Sequence, residues 1–358
     1  MEFKVTNSSN VMCVGDVFYS VPTAEEIKKA EDIIITICNE NIDKYYSDNL
    51  QEKVYERLNY EIKQMCATDS VFHFLIVKEI AEVSRKEGFP IITLGDLSGS
   101  LISYLLGITE YDPIDISMES PVLELVWGTV SKPVKPDFSI GIAPQIHPLI
   151  QKHLDAQYGF VECDKELYKQ ISLIDVKNCE ILGNLSKEVG KRPSIQDFDN
   201  EVYIQAAKSI IEEFLEANKK PVNLIEEIKQ IERWDFSLLL RFYAYINGSF
   251  EQPITLDNLN NSNFFVTRDE FFKSLLTHNI PDYIALDIVK KGVWSQGKKR
   301  QTYLKMLKSY NMPEYIESYY SNVTHLWTLS SSIDRLLHKC YIAWYQENYP
   351  EIIDKLNN

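Results

Sequence analysis

Residues 90–113 read PIITLGDLSGSLISYLLGITEYDP. The run PIITLG is short, apolar and β-branched, and it reads as a buried strand. The stretch DLSGS that follows is a tight Gly/Ser turn, because glycine permits backbone conformations closed to other residues. LISYLLGI then reads as an apolar helix. A strand feeding a helix through a glycine turn is a local geometry able to receive an anion, so Gly95, Gly99 and Ser100 are candidate anion-nest positions. The plainer reading is a tight strand–helix connection that needs glycine, and it is favoured.

Upstream, residues 24–49 read as a helix with Thr23 as its cap and acidic residues in the first turn. Residues 51–67 continue the helical spacing through Val54, Leu58, Ile62 and Met65, and residues 71–86 form another helix ending at Gly88. Downstream, VLELVWGTV and VKPDFSIGI within residues 122–142 read as two short strands separated by Pro133 and Pro136. ISLIDV at residues 171–176 reads as a further strand bearing one acid. Beyond about residue 195 helical patterns dominate: EVYIQAAKSIIEEFLEA, NLIEEIKQIERW, RDEFFKSLLTHN, YIALDIVKKG, RQTYLKMLKSY and SIDRLLHKCYIAWYQENY. DNLNNSNFF reads as a loop before a helix. The order is α+β first and nearly all helix afterwards.

The 358 residues carry 45% hydrophobic content and a formal net charge of -15. That length supports two or three packed units. The acidic balance opposes general binding to DNA, which depends on Lys and Arg displacing counterions, and it favours a protein partner. A local basic patch is the exception. KKGVWSQGKKR places Lys290, Lys291, Lys298, Lys299 and Arg300 around Trp294 without an acid, and is the candidate nucleic-acid contact; a solvated basic loop is the equal alternative. Trp344, Tyr345, Tyr319, Tyr320 and Trp327 read as core. The start of the chain has no signal-peptide pattern and no segment is long enough to span a membrane, so the expectation is a cytoplasmic chain without membrane contact. Six scattered cysteines read as reduced, mostly buried thiols, and His147 and His153 read as a surface pair and not a zinc site.

The turn at residues 90–113 resembles the nucleotidyltransferase signature of the C-family polymerases, the bacterial DNA polymerase III alpha subunits, in which GRGS, two small residues and GS precede an apolar helix and GIT, an acid and DP. Gly95, Gly99, Ser100, Leu101, Gly107, Ile108, Thr109, Asp112 and Pro113 carry the match. ERLNYEIKQM and FHFLIVKEIAEVSRKEG resemble the two preceding helices, and YSVPTAEE the linker before them. KPDFS at residues 135–139 stands at the palm motif and LIDVKN at residues 173–178 at the strand of the third carboxylate. TRDEFFKSLLTHNIPDYIALDIVKKG, PEYIESYYSNVTHLW and TLSSSIDRLLHKCYIAWYQENYP resemble the fingers of the PolC-type branch. The likeness is collinear over roughly residues 18–350.

The resemblance implies a polymerase-beta-like nucleotidyltransferase palm followed by helical fingers. The expected partition is a helical lead-in over 1–49, a palm-like domain over 50–178 and a fingers-like domain over 179–358. It also implies Mg²⁺ held by palm carboxylates, here Asp137 and Asp175 as candidate catalytic and metal residues. The second carboxylate position is Ser139, which cannot supply the bridging charge. Leu94 and Asp96 stand in place of Arg and Ser in the phosphate turn, and an acid there repels a triphosphate. Leu329 and Ser331 replace the Lys and His of the fingers helix, and the RKGKG turn becomes KKGVW. About thirty residues separate the two palm strands, too few for the family's thumb. The expectation is therefore a degenerate homologue without catalysis or cofactor, acting as a binding or regulatory module in replication, a mobile element or phage defence. The alternative is a residual Mg²⁺-dependent nucleotidyltransferase using Asp137 and Asp175.

Overall fold

A computed structural model describes residues 11–20, 22–114, 120–159, 170–218, 231, 233–250, 259, 261 and 263–357. The chain forms two compact units, one made of Met1–Ile114, Pro133–Arg192 and Glu351–Asn358, the other of Asp115–Lys132 and Pro193–Pro350. Among the described residues, no helix is long and apolar enough to cross a membrane.

The first unit opens with an antiparallel hairpin of β1 (Val11–Val14) and β2 (Val17–Ser20), turned at Gly15 with φ 58°. Helix α1 (Ala24–Tyr45) starts at a reciprocal cap. Glu26 N–H donates to Thr23 Oγ1, and Thr23 N–H donates to the Glu26 carboxylate at 2.7 Å. Ala30, Ile34, Cys38 and Ile42 recur every fourth residue and form its buried stripe. Helix α2 (Asp48–Ala67) buries Val54, Leu58 and Met65 as their spacing predicts, leaves Ile62 of the same expected stripe half-buried, and also buries Glu61, which hydropathy places outside. Helix α3 (Val71–Lys86) ends before Gly88, which adopts φ 81°.

The expected buried strand is β3 (Ile92–Thr93), and the Gly/Ser turn winds through a single 3₁₀ turn into α4 (Leu101–Leu105). The first strand-like run, VLELVWGTV, forms helix α5 (Leu123–Trp127) and only a two-residue strand, β4 (Gly128–Thr129), which pairs with β5 (Lys132–Pro133). An apolar run this short has no resolvable period, so strand and helix were indistinguishable there. The second run forms β6 (Ser139–Ile142), as expected. Helix α6 (His147–Tyr158) follows, then β7 (Ser172–Asp175) and α7 (Lys177–Val189). Strands β3, β6 and β7 make one mixed sheet with β6 in the centre.

The second unit is helical: α5, α8 (Asn200–Asn218), α9 (Phe236–Asn247), α10 (Arg268–Thr277), α11 (Asp282–Asp287), α12 (Gly297–Ser309), α13 (Glu314–Asn322) and α14 (Leu329–Asn348). A short ladder of β8 (Ser249–Phe250) on β9 (Val323–His325) ties α9 to the segment before α14. Trp344, Tyr345, Tyr319 and Tyr320 are buried, as expected, while Trp327 is half-buried. Asp269, fully buried, accepts Val122 N–H and Leu329 N–H at 2.7 Å each, so one carboxylate fastens the strap before α5 to the start of α14. The final helix, α15 (Pro350–Asn357), follows directly. Most of the predicted helix NLIEEIKQIERW, part of the DNLNNSNFF loop, and Cys163 lie outside the described residues.

These units part from the expected partition in four places, the first being that Glu351–Asn358, expected in the fingers-like domain, belong to the first unit. Helix α1 packs on α3 and α4 and belongs to the first unit, so residues 1–49 are no separate lead-in. Helix α7 packs on β6 and moves the boundary from residue 178 to Arg192. Residues 115–132 join the second unit instead of lying within the palm-like domain expected over 50–178.

Candidate functional site

The central strand decides which expected site residues meet. On one side β6 pairs antiparallel with β3, Ile92 opposite Gly141 and Thr93 opposite Ile140, and Leu94 N–H donates to Ser139 C=O at 2.8 Å. This lays the Gly95 turn across Asp137. A Cβ on Gly95 would stand 2.6 Å from the Asp137 carbonyl oxygen and 2.7 Å from its Cβ, so only glycine fits. Ser139 Oγ–H donates to the Asp137 carboxylate at 2.6 Å. Gly95, Asp137 and Ser139 therefore form one locale.

Asp175 lies elsewhere. Strand β7 runs parallel to β6 with Ser139 opposite Ser172 and Ile142 opposite Asp175. Asp137 precedes the first residue of β6, whereas Asp175 faces its last. The rise of parallel β-structure separates the two by roughly 16 Å along the strands. One Mg²⁺ needs its oxygens within about 2.1 Å. Asp137, Ser139 and Asp175 thus do not fit a shared ion in this arrangement. The Asp175 carboxylate instead meets His147 Nε2 at 3.0 Å, and His153 Nε2 meets Glu79 at 3.2 Å, so the two histidines face different carboxylates. Among the described residues, no group of three or more His, Cys, Asp or Glu side chains is arranged around a metal position. Position 141 is also closed: a Cβ there would lie 2.3 Å from Ile92 Cγ2 and 2.5 Å from Val176 Cγ2.

The phosphate turn is occupied from within. Glu61, fully buried, accepts Ser100 Oγ–H at 2.6 Å, Leu101 N–H at 3.0 Å and Ile102 N–H at 3.2 Å. Arg57 pairs with the same carboxylate at 2.6 Å and donates to Gly99 C=O at 2.9 Å. The donors that an anion at the start of α4 would need are engaged by an internal carboxylate. Nothing in the apolar pattern of α2 announced Glu61; its i, i+4 spacing from Arg57 was the available signal.

In the second unit Leu329 is buried at the start of α14, and Ser331 N–H donates to Thr328 Oγ1 at 3.1 Å in the helix cap. The basic loop divides. Lys290 and Lys291 end a π-helical turn (Ile288–Gly292), with Lys291 paired to Asp287 at 2.7 Å. Lys298 and Lys299 stand exposed in the first turn of α12. Arg300 turns inward, donating to the carbonyls of Val293, Ser295, Tyr320 and Val323 and lying over the Tyr320 ring, so it staples the fold and leaves the patch. Trp294 is 51% exposed.

Residues 32–237, more than half of the chain, match the bacterial DNA polymerase III alpha NTPase domain, which makes this a DNA-polymerase-related protein. The chain belongs to that family. It is 27% identical over 124 residues to the DNA polymerase III subunit alpha of Rickettsia prowazekii, covering 34% of this chain and 10% of the relative. It is 28% identical over 88 residues to the PolC-type DNA polymerase III of Thermotoga petrophila, covering 25% and 6%. It is 31% identical over 74 residues to an error-prone DNA polymerase of a Bradyrhizobium species, covering 21% and 6%. The matched stretches span a tenth or less of these relatives' own length.

Proposed function

We propose that this protein is a polymerase-family homologue that does not carry out nucleotidyl transfer and acts as a binding or regulatory module in a replication, mobile-element or phage-defence setting. In this reading the first unit is a polymerase-beta-like palm and the second a fingers-like helical unit. One observation carries it: Asp175 stands opposite Ile142 while Asp137 lies beyond the other end of the same strand. Two-metal transfer requires ions about 3.5–4 Å apart held by neighbouring carboxylates. Ser139 and the Glu61-filled turn support the same reading from separate positions. The net charge of -15 favours a protein as the main partner.

Primer extension tests this. Purified wild-type protein, with Mg²⁺ or Mn²⁺, a primer–template and labelled deoxynucleotides, yields no incorporation above a no-enzyme control. Incorporation that Asp137→Asn and Asp175→Asn both abolish would establish the residual-transferase reading instead.

A further inference from the structure

Residues 288–309 carry six lysines and no carboxylate, in a chain whose net charge is -15. Trp294 stands at the turn in this stretch, between the lysines that end the π-helical turn and those that begin α12. Of the five tryptophans it alone is exposed; Trp127, Trp234 and Trp344 are buried and Trp327 is half-buried. An exposed indole forgoes the burial that ordinarily stabilises a tryptophan.

Its ring is held in place. The Arg268 guanidinium carbon lies 5.1 Å from the ring centroid, and the His325 ring lies 4.0 Å away at 63°. The series continues from His325 to Trp327 at 6.5 Å, and Arg335 covers Trp327 at 5.0 Å. All of these groups belong to the second unit. Burial and the neighbouring Arg268 push His325 down to about 4, so its imidazole is neutral near pH 7. Lys298 and Lys299 form no ion pair among the described residues, and they oppose the dipole at the start of α12. A phosphate beside them would offset that repulsion.

We propose that Trp294, braced by Arg268 and His325, is a stacking platform for an unpaired base of single-stranded nucleic acid, with Lys298 and Lys299 meeting its phosphates. The inference rests on the binding-module reading and assigns it a ligand. Duplex DNA hides its base faces, and an acidic peptide offers a π-face only where it carries an aromatic residue, whereas every base of an unpaired strand offers one beside a phosphate, so the combination favours an unpaired strand.

The test is fluorescence anisotropy with a labelled oligothymidylate of about 16 nucleotides, an abasic strand of equal length and a duplex. Wild-type protein binds the base-bearing strand in preference to both others. Trp294→Ala weakens that binding about tenfold and removes the preference over the abasic strand, while Trp294→Phe keeps most of it. Lys298→Gln with Lys299→Gln weakens both single strands alike and lowers the salt slope by about 1.4. Circular dichroism confirms that the exposed-site variants remain folded. Equal binding of the base-bearing and abasic strands by wild type, unchanged affinity in Trp294→Ala, or no binding by wild type each overturns the inference. None of these results bears on nucleotide incorporation, so the non-catalytic reading fails or stands separately by primer extension.

Discussion

The Ser100 hydroxyl donates to the fully buried carboxylate of Glu61 at 2.6 Å, at the place where the sequence pattern suggested a phosphate cradle. The acid takes up the donors at the start of α4. It satisfies the first amides of α4 and is itself balanced by Arg57.

Removing one partner of this buried pair leaves the other uncompensated, which costs about 3–5 kcal/mol. Glu61→Ala is expected to lose stability in that range, and Arg57→Ala less, because Arg57 reaches partly to solvent. Urea denaturation of the two variants and their double mutant measures this. The double mutant should lose less than the sum.

Asp269 makes a second internal fastening, with one oxygen on Val122 N–H and the other on Leu329 N–H. In Asp269→Asn, one of those amides faces an NH₂ group in place of an acceptor. The expected loss is about 2–3 kcal/mol. Hydrogen exchange at Val122 and Leu329 should accelerate ahead of the rest of the second unit. Equal protection in wild type and variant would remove Asp269 from this role.

Two of the tight glycines of the first unit, Gly95 and Gly141, should behave differently. A methyl at Gly141 meets the side chains of Ile92 and Val176 most closely, whereas one at Gly95 meets the Asp137 carbonyl oxygen as well as its side chain. Overpacking costs about 1–3 kcal/mol where side chains can shift. Gly141→Ala should be partly rescued by Val176→Ala, and Gly95→Ala by no side-chain truncation. Thermal melts of the single and double variants compare them.

His73 gives the first unit a pH dependence. Burial, then the nearby Lys135 ammonium at 3.5 Å, pushes this histidine down to about 4, while its ordinary value is 6.5. The unfolded chain therefore binds the proton first as pH falls. The contribution of neutral His73 is complete above about pH 6.5 and is lost progressively toward pH 4, amounting to about 3 kcal/mol. Denaturation from pH 8 to 4 should show this decline, flattened in His73→Leu. An identical slope in the variant would assign the pH dependence to other groups.

Much of the fold was legible because its strongest signals are local. Thr23 and Glu26 announced the start of α1, Gly88 the end of α3, and the apolar runs around Ile92, Ile140 and Ile174 became the three strands of the mixed sheet. VLELVWGTV was not legible, since five residues of helix leave too little period to read. The hairpin at Gly15 lies outside the expected elements, although its Gly-Asp turn between β-branched residues is a usable signal. The site was legible in its parts and not in its geometry. Order along the chain cannot reveal that Asp175 registers with Ile142, that Glu61 reaches Ser100, or that Arg300 folds inward onto Tyr320 and Val323.

The separation of Asp137 from Asp175 is tested most directly by Mn²⁺ titration, followed by electron paramagnetic resonance, of wild type, Asp137→Asn and Asp175→Asn. No tight site is expected to depend on both residues, so the two variants do not share a common loss of bound Mn²⁺. A single stoichiometric Mn²⁺ site present in wild type and abolished by either substitution would contradict it.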